Sequence, residues 1–414
     1  MLLVASLAGC DEQLATTGTC PELCPDQELT VYQTELQPVV YDTTVTGFPI
    51  RGLEPQLLVA SGELVDVRAI YRFDQLPTEY TAAGGETKPI SEVLDPFVRV
   101  LVNREISVIP TDGATLVAYD VQAPDADTAV AELAPLFIAD RRLGSAVVPG
   151  EPVNDSITVD TLRIPLDPSV IRDAIAAEGR VRIGLRSEGA GATRLKVSHG
   201  AQVEFRAVAD TSIRPVIITL SSDTPESDPY LRSDLSSFPL IVQGTPALVE
   251  PVVQIGGLPA QRSMMRFDIP SSILDSSTVI GATLVLQQRP LAGYTASDTA
   301  TLRALPVTVA SDVTDIRRLI QLAANPNRGG TEVALVPPVR LVPGEAGSVE
   351  LSVANLMSLW TNRLTRPLQP ILVFALDDAG VTPLELAFYS SEAPPELRPT
   401  LRLSYVRRVN FALP

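Results

Sequence analysis

The feature that most constrains the fold of this chain is a strand-like pattern that occurs twice. Residues 68–77 read RAIYRFDQLP and residues 262–270 read RSMMRFDIP. Each copy has an arginine, three further residues, then Arg-Phe-Asp and a proline shortly afterwards. Because nearly half of the chain separates the two copies, the pattern predicts a duplicated domain.

The order of elements after each copy supports a duplication. Short runs rich in β-branched residues follow both copies, and two amphipathic stretches interrupt the runs in each half. The predicted helices are 125–137 and 168–178 in the first half and 313–324 and 354–364 in the second. Gly179 is expected to cap the second of them in a left-handed conformation.

Composition sets the fold class. The chain has 414 residues, which is enough for two domains with cores of their own. Aromatic residues make up only 5%, whereas there are 25 glycines and 36 prolines, a composition typical of many short strands joined by turns. We predict a mainly β protein of two tandem jelly-roll-like β-sandwich domains, 28–209 and 213–407, each with two short helices. Phe48-Pro49-Ile50 and Phe238-Pro239-Leu240 are interpreted as equivalent positions.

The N-terminus predicts export. Residues 1–10, MLLVASLAGC, form a short apolar run with small residues before Cys10. Leu-Ala-Gly-Cys resembles a bacterial lipobox, which implies lipid attachment at Cys10, although no Lys or Arg precedes the run. The alternative is a chance apolar N-terminus with a buried cysteine. Residues 11–27 are small and polar, as expected of a tether.

The remaining thiols and the charge agree with an exported protein. Cys20 and Cys24 are expected to pair as a disulfide in an oxidising compartment, with a metal site as the alternative. No later segment has the run of about 20 apolar residues that a membrane span needs, so lipid would be the only membrane anchor. The net charge of −17 argues against nucleic acid as a partner. The expected location is the periplasm or the cell surface, and the leaflet stays open.

Three segments of the second half carry a family resemblance: MRFDIPSSIL, TVIGATLVL and LAFYSSEAPPELRPTLRLSY. Over 213–406 the chain resembles the DNRLRE-type domains of bacterial surface proteins. The resemblance implies a jelly-roll-like β-sandwich and, as in some members, carbohydrate binding. The first half departs from the pattern, because it lacks the Ser-Glu-Ala-Pro-Pro segment and a tryptophan.

Candidate catalytic groups are few. His199 is the only histidine, and its neighbour Ser198 would point to the opposite face of a strand, so the two cannot form a nucleophile-base pair. We expect His199 to be a surface residue at a strand end and the protein not to be an enzyme. Acidic residues are assigned to loops and helix caps. No cofactor is expected, with a structural calcium ion at Asp377-Asp378 or in the 221–229 loop as the alternative.

The repeated Arg-Phe-Asp unit has two interpretations. As a structural unit, it points Phe73 and Phe267 into the core while the arginine and aspartate lie on the other face or close the following turn. As a functional unit, its Arg-Asp pair would hold a sugar or an acidic group.

The expected ligand is a polysaccharide or another surface glycan, and the alternative is a structural or assembly protein that contacts envelope protein partners. Trp360 shares a helical stripe with apolar neighbours, which predicts a core position. Ligand contacts are therefore expected from Tyr230, Tyr294 and Tyr389.

Overall fold

The computed structural model describes residues 30–48, 54–63, 65–122, 129–151, 158–189, 192–221, 235–248, 251–307, 336–362, 366, 370–377 and 380–408. Several predictions fall outside these ranges: those for Cys10, Cys20, Cys24, Tyr230, Asp378 and the helix at 313–324.

The described part of the chain is mainly β, as predicted, and its strands are antiparallel. The strands of the first half are β1 (Val31–Leu36), β2 (Val39–Phe48), β3 (Leu57–Ser61), β4 (Asp66–Phe73), β5 (Glu79–Thr81), β6 (Thr87–Pro89), β7 (Leu94–Val108), β8 (Ala114–Asp120), β9 (Arg142–Val148), β10 (Val159–Pro165), β11 (Val181–Glu188) and β12 (Thr193–Arg206). Those of the second half are β13 (Val216–Thr219), β14 (Ser237–Gln243), β15 (Val252–Gly256), β16 (Ala260–Phe267), β17 (Ser277–Arg289), β18 (Ala300–Val307), β19 (Val339–Leu341), β20 (Gly347–Ser352), β21 (Ile371–Leu376), β22 (Glu385–Tyr389) and β23 (Thr400–Arg407). Short helices join them: α1 (Val130–Leu133), α2 (Pro168–Ala176), α3 (Ser271–Leu274) and α4 (Met357–Thr361).

The two sandwiches repeat one strand topology. In the first, the order β10-β7-β12-β3-β4-β11-β8-β9 is hydrogen-bonded throughout. In the second, β15, β16, β21, β18 and β19 follow the order of β3, β4, β11, β8 and β9, and β20 pairs with β17 as β10 pairs with β7. Helix α2 lies between β10 and β11, and its counterpart α4 lies between β20 and β21. The Arg-Phe-Asp strands β4 and β16 therefore occupy equivalent places, as a duplication requires.

The strands do not divide between the sandwiches at the predicted boundary. β13 pairs with β12 and β14 with β4, so both belong to the first sandwich, whose described residues lie within 54–248. β1 pairs with β23 and β2 with β16, so both belong to the second sandwich, whose other described residues lie within 251–408. The predicted domains 28–209 and 213–407 thus differ from this arrangement at both strand pairs. A repeat in the sequence shows which segments are alike, whereas backbone pairing decides where each segment lies.

The two Phe-Pro segments are not equivalent in register. Phe238 lies opposite Ile70 within β4, whereas Phe48 lies opposite Ala260 at the start of β16. The residue of β2 that corresponds to Phe238 is Thr43, which faces Met264. The interpretation of these segments as equivalents was wrong.

Each sandwich encloses an apolar core. Phe73, Tyr71 and Phe205 are buried in the first core, and Phe267 is buried in the second. Trp360 is 5% exposed and packs edge-on against Phe267, with ring centroids 6.1 Å apart. The predicted core positions of Phe73, Phe267 and Trp360 are confirmed.

Helix α2 has defined ends. Asp167 accepts a hydrogen bond from the backbone N–H of Ser169 at 2.8 Å, a typical N-cap. At the other end, Glu178 has φ of 48°, and the N–H of Gly179 donates to the carbonyl of Ala174 at 2.9 Å. This is the Schellman arrangement. The left-handed residue is Glu178, one position before the glycine that was expected to fill this place.

Candidate functional site

A cleft lies where loops of the two sandwiches meet. It has a volume of about 540 Å³. The first sandwich contributes the β3–β4 turn and the start of β12, and the second contributes the loops before β18 and before β22. The lining residues are Ser61, Gly62, Glu63, Val65, Gly189, Ala192, Arg194, Gly293, Tyr294 and Pro383.

An ion pair bridges the sandwiches at this cleft. Arg194 Nη1 lies 3.2 Å from Asp298 Oδ1, and both side chains are largely buried. Burial alone raises the pKa of Asp298, but hydrogen bonds from Thr295 and the Arg194 guanidinium outweigh it and hold the pKa below its usual value. Arg194 also lines a second cavity of about 360 Å³. The pair therefore stays charged and fixes the guanidinium between the two cavities.

Tyr294, one of the three predicted ligand contacts, lies on the wall of the cleft. Its hydroxyl donates a hydrogen bond to the Pro383 carbonyl at 2.8 Å. Burial raises the pKa of Tyr294 well above its usual value, and the nearby Glu385 carboxylate adds to the effect. Tyr294 is therefore a fixed, protonated ring beside the polar groups of the cleft.

The other predicted tyrosines do not join it. Tyr389 is half-buried at the far end of β22, opposite Val252. Leu384 borders the second cavity. Because a strand rises about 3.3 Å per residue, Tyr389 lies about 17 Å from Leu384 along the strand. Tyr230 falls outside the described ranges. The three tyrosines do not make up one site in the described structure.

Glu385 is a buried acid whose burial the sequence pattern did not predict. It is 3% exposed, at the first residue of β22. Burial raises its pKa to about 7, although hydrogen bonds from Thr245 and Gln254 oppose the shift. The amide of Gln254 donates to Glu385 Oε2 at 3.4 Å. Ala387 lies two positions later on the same face of β22. Its small apolar side chain was the one signal in the sequence that this face is buried.

The β15–β16 turn covers that face. Gly256 and Gly257 have φ of 87° and 82°, a conformation that favours glycine. A Cβ on Gly257 would lie 3.0 Å from the Glu385 carboxylate. The next residue, Leu258, packs with Leu58 and Val67 of the first sandwich. The turn therefore buries Glu385 and joins the two sandwiches.

His199 does not lie at a strand end, contrary to expectation. It sits within β12, where the pairing with β7 shifts register between Val197 and Ala201. It is half-buried, with Nδ1 3.1 Å from the Ser237 hydroxyl and Nε2 in contact with the Glu54 carbonyl. The long strand simply continues past it, because the bulge absorbs the extra residues.

The Arg-Phe-Asp arginines are structural. Arg72 is 1% exposed and pairs with Asp74 at 2.9 Å, which closes the end of β4. Arg266 lies 5.7 Å from the ring centre of Tyr41. These contacts support the structural interpretation of the repeated unit.

The described residues offer few ligands for the alternative calcium ion. Within the described ranges, no three His, Cys, Asp or Glu side chains gather as metal ligands. The carboxylate of Asp377 is held by Arg303, with a 3.0 Å contact to Nη2. Asp378 and residues 222–229 fall outside those ranges. Helices of the described segments also include none that is long and apolar enough to cross a membrane.

Comparisons with known proteins give no family. No protein-family model and no curated protein matches the chain. Among solved structures, a Parabacteroides distasonis protein described as secreted covers 90% of this chain and 99% of its own, with 8% identity and a TM-score of 0.22. An infectious bursal disease virus structure covers 92% of this chain and 77% of its own, with 13% identity and a TM-score of 0.13. Scores this low do not support a shared fold.

Proposed function

We propose that this chain is a non-catalytic lipoprotein of the cell envelope that binds a polysaccharide or another surface glycan in the cleft between its sandwiches. The observation that carries the proposal is the position of Tyr294, whose ring borders the cleft beside Glu63 and Arg194. Ligand sites of this kind combine an apolar surface with a few fixed polar groups.

The charges of the cleft favour a neutral glycan. Glu63 is exposed and offers carboxylate acceptors, while Arg194 offers guanidinium donors that Asp298 holds in place. The net charge of −17 repels polyanions at long range. Neutral hydroxyl groups can both donate to Glu63 and accept from Arg194.

A glycan array of the chain from residue 11 onward tests the ligand. We expect binding that Glu63→Ala weakens at least severalfold, because the variant removes an exposed acceptor of the cleft without touching the core. Glu79→Ala is the matched control, since Glu79 is an exposed acid on β5 outside the cleft. Equal loss in both variants, or binding by neither parent nor variants, would count against the cleft as a glycan site.

The lipid anchor has an independent test. Wild-type protein should enter the detergent phase of a two-phase extraction, and Cys10→Ser should remain aqueous or uncleaved. Recovery of the wild type in the aqueous phase with an intact N-terminus contradicts lipid attachment at Cys10.

A structural or assembly role is the second candidate. The observation that favours it is the completion of the second sandwich by residues 30–48, because strand addition at a sheet edge is also how many partner proteins bind. A pull-down from envelope extract that captures one protein in stoichiometric amount, together with a silent glycan array, supports this role over glycan binding.

A further inference from the structure

We propose that the β1–β2 strand pair of one molecule can complete the second sandwich of another, so that the chain self-associates by strand exchange. The partner is a second copy of this chain. The inference does not depend on the ligand of the cleft.

The two sandwiches take one matching strand pair from different parts of the chain. In the first sandwich, β13 pairs with β12 and β14 pairs with β4, and both strands follow β12 directly in the chain. In the second, the equivalent places beside β23 and β16 are filled by residues 30–48, which precede the first sandwich. Residues 49–56 connect these strands to β3. A segment inserted from so far away in the sequence can be supplied equally well by another copy.

The two strand pairs are also held differently. β14 is anchored by apolar side chains, with Phe238 and Leu240 at most 1% exposed. Among the side chains of β1 and β2 whose burial the structure describes, the most buried apolar one is Val45, at 9%. The inserted pair therefore depends less on core packing than its counterpart does.

Hydrogen bonds supply much of the attachment. The backbone N–H of Ser391 donates to Asp42 Oδ2 at 2.6 Å, and the N–H of Asp268 donates to the Pro38 carbonyl at 2.7 Å. Each bond of this type contributes only modestly to stability, because water competes for the same groups. They re-form with identical geometry when the strands come from another molecule.

Side-chain pairs make the fit specific for this chain. The rings of Tyr32 and Tyr405 stack with centroids 5.7 Å apart, and the guanidinium of Arg407 lies 4.7 Å above the ring of Tyr32. Arg402 Nε donates to Glu35 Oε1 at 2.8 Å. An unrelated strand would lack these partners, which is why we assign the site to a second copy.

Concentration decides which molecule supplies the strands. Within one molecule the tethered segment has an effective concentration in the millimolar range, so a dilute protein closes on itself. Refolding at a comparable protein concentration lets strands from different molecules compete. Exchange then gives a closed dimer if the two insertions are reciprocal and an open chain if they are not.

Mixed single-cysteine copies test the exchange. In the 414-residue chain with Cys10, Cys20 and Cys24 replaced by serine, one copy carries Gln33→Cys and a second, larger tagged copy carries Ser404→Cys. Gln33 and Ser404 are direct cross-strand partners. Antiparallel partners have Cα atoms about 4.5–5.5 Å apart, which suits a disulfide. The copies are denatured together, refolded at low or high concentration, and oxidised.

We expect a disulfide-linked heterodimer that increases at least severalfold between micromolar and near-millimolar refolding. The matched control mixes Glu204→Cys with Ile217→Cys, which are cross-strand partners in β12 and β13 of the first sandwich. The control should give no disulfide-linked heterodimer, because β13 follows β12 in the same chain and pairs within its own molecule. Equal heterodimer in both mixtures, or none in either, overturns the proposal.

A measurement on the unsubstituted chain covers the case in which a cysteine variant does not fold. Light scattering after size exclusion should show dimers or longer species after concentrated refolding and monomers after dilute refolding. Monomers at every refolding concentration overturn the proposal as well.

Discussion

Single buried residues carry the chemistry that the sequence did not predict. Glu385 begins β22 between Leu384 and Leu386, an alternation that normally places the acid toward solvent. The β15–β16 turn covers this position instead, and burial raises the pKa of Glu385 to about 7. A strand pattern shows which residues share a face, but the covering of that face depends on a segment more than 100 residues away.

The raised pKa of Glu385 predicts a pH-dependent stability. The folded protein holds the proton that the unfolded chain releases near pH 4.5, so the free energy of unfolding falls as pH rises from about 4.5 to about 7 and then levels off. Glu385→Gln should remove this slope and stabilise the protein at pH 8 by up to about 3 kcal/mol. Urea unfolding across pH 4.5–8 measures it, with Glu79→Gln as the control. An unchanged slope in Glu385→Gln would show that another group titrates.

Trp360 is predicted to behave as a core residue. Its ring packs on Phe267, so its emission should be blue-shifted and acrylamide should quench it poorly. Trp360→Ala should lower the free energy of unfolding by about 3–5 kcal/mol, as large-to-small core changes do. Strong quenching that a polysaccharide relieves would instead make Trp360 a ligand contact.

At the scale of elements, local sequence patterns predicted helices and strands, but they did not predict which strands pair. Helix α2 follows from Asp167, Pro168 and an apolar stripe, all of which act within a few residues. The place of β1 and β2 in the second sandwich depends on contacts with β23 and β16, which no local pattern encodes. The cleft was missed for the same reason, since its walls come from loops of both sandwiches.

The β15–β16 turn is one of the elements that join the sandwiches, and Gly257 is a constrained position in it. A Cβ there would lie 2.5 Å from Thr245 Oγ1, and φ of 82° costs about 1–2 kcal/mol for another residue. Gly257→Ala should therefore lower the melting temperature by several degrees. Gly347→Ala is the control, because Gly347 has open space for a Cβ. Similar melting temperatures for the two variants would contradict the described turn.

At the scale of the whole molecule, the duplicated fold has become interlocked. The repeated Arg-Phe-Asp strands predicted two sandwiches, and both copies lie at equivalent places in them. The boundary between the sandwiches could not be predicted. The pairs β1–β2 and β13–β14 fit equivalent sheet edges, and no local sequence pattern shows which pair joins which sandwich. The lipid anchor and the glycan remain proposals that rest on the N-terminal motif and the cleft.

Residues 31–48 belong to the second sandwich, and deleting them tests this placement most directly. Trp360 is the only tryptophan and lies in that sandwich, so its emission reports on it alone. Denaturant unfolding should be followed by Trp360 emission in chains lacking residues 1–29 or residues 1–48. We predict that the shorter deletion leaves the midpoint unchanged and that the longer one shifts it to lower denaturant. Identical midpoints for the two deletions would contradict the strand arrangement described here.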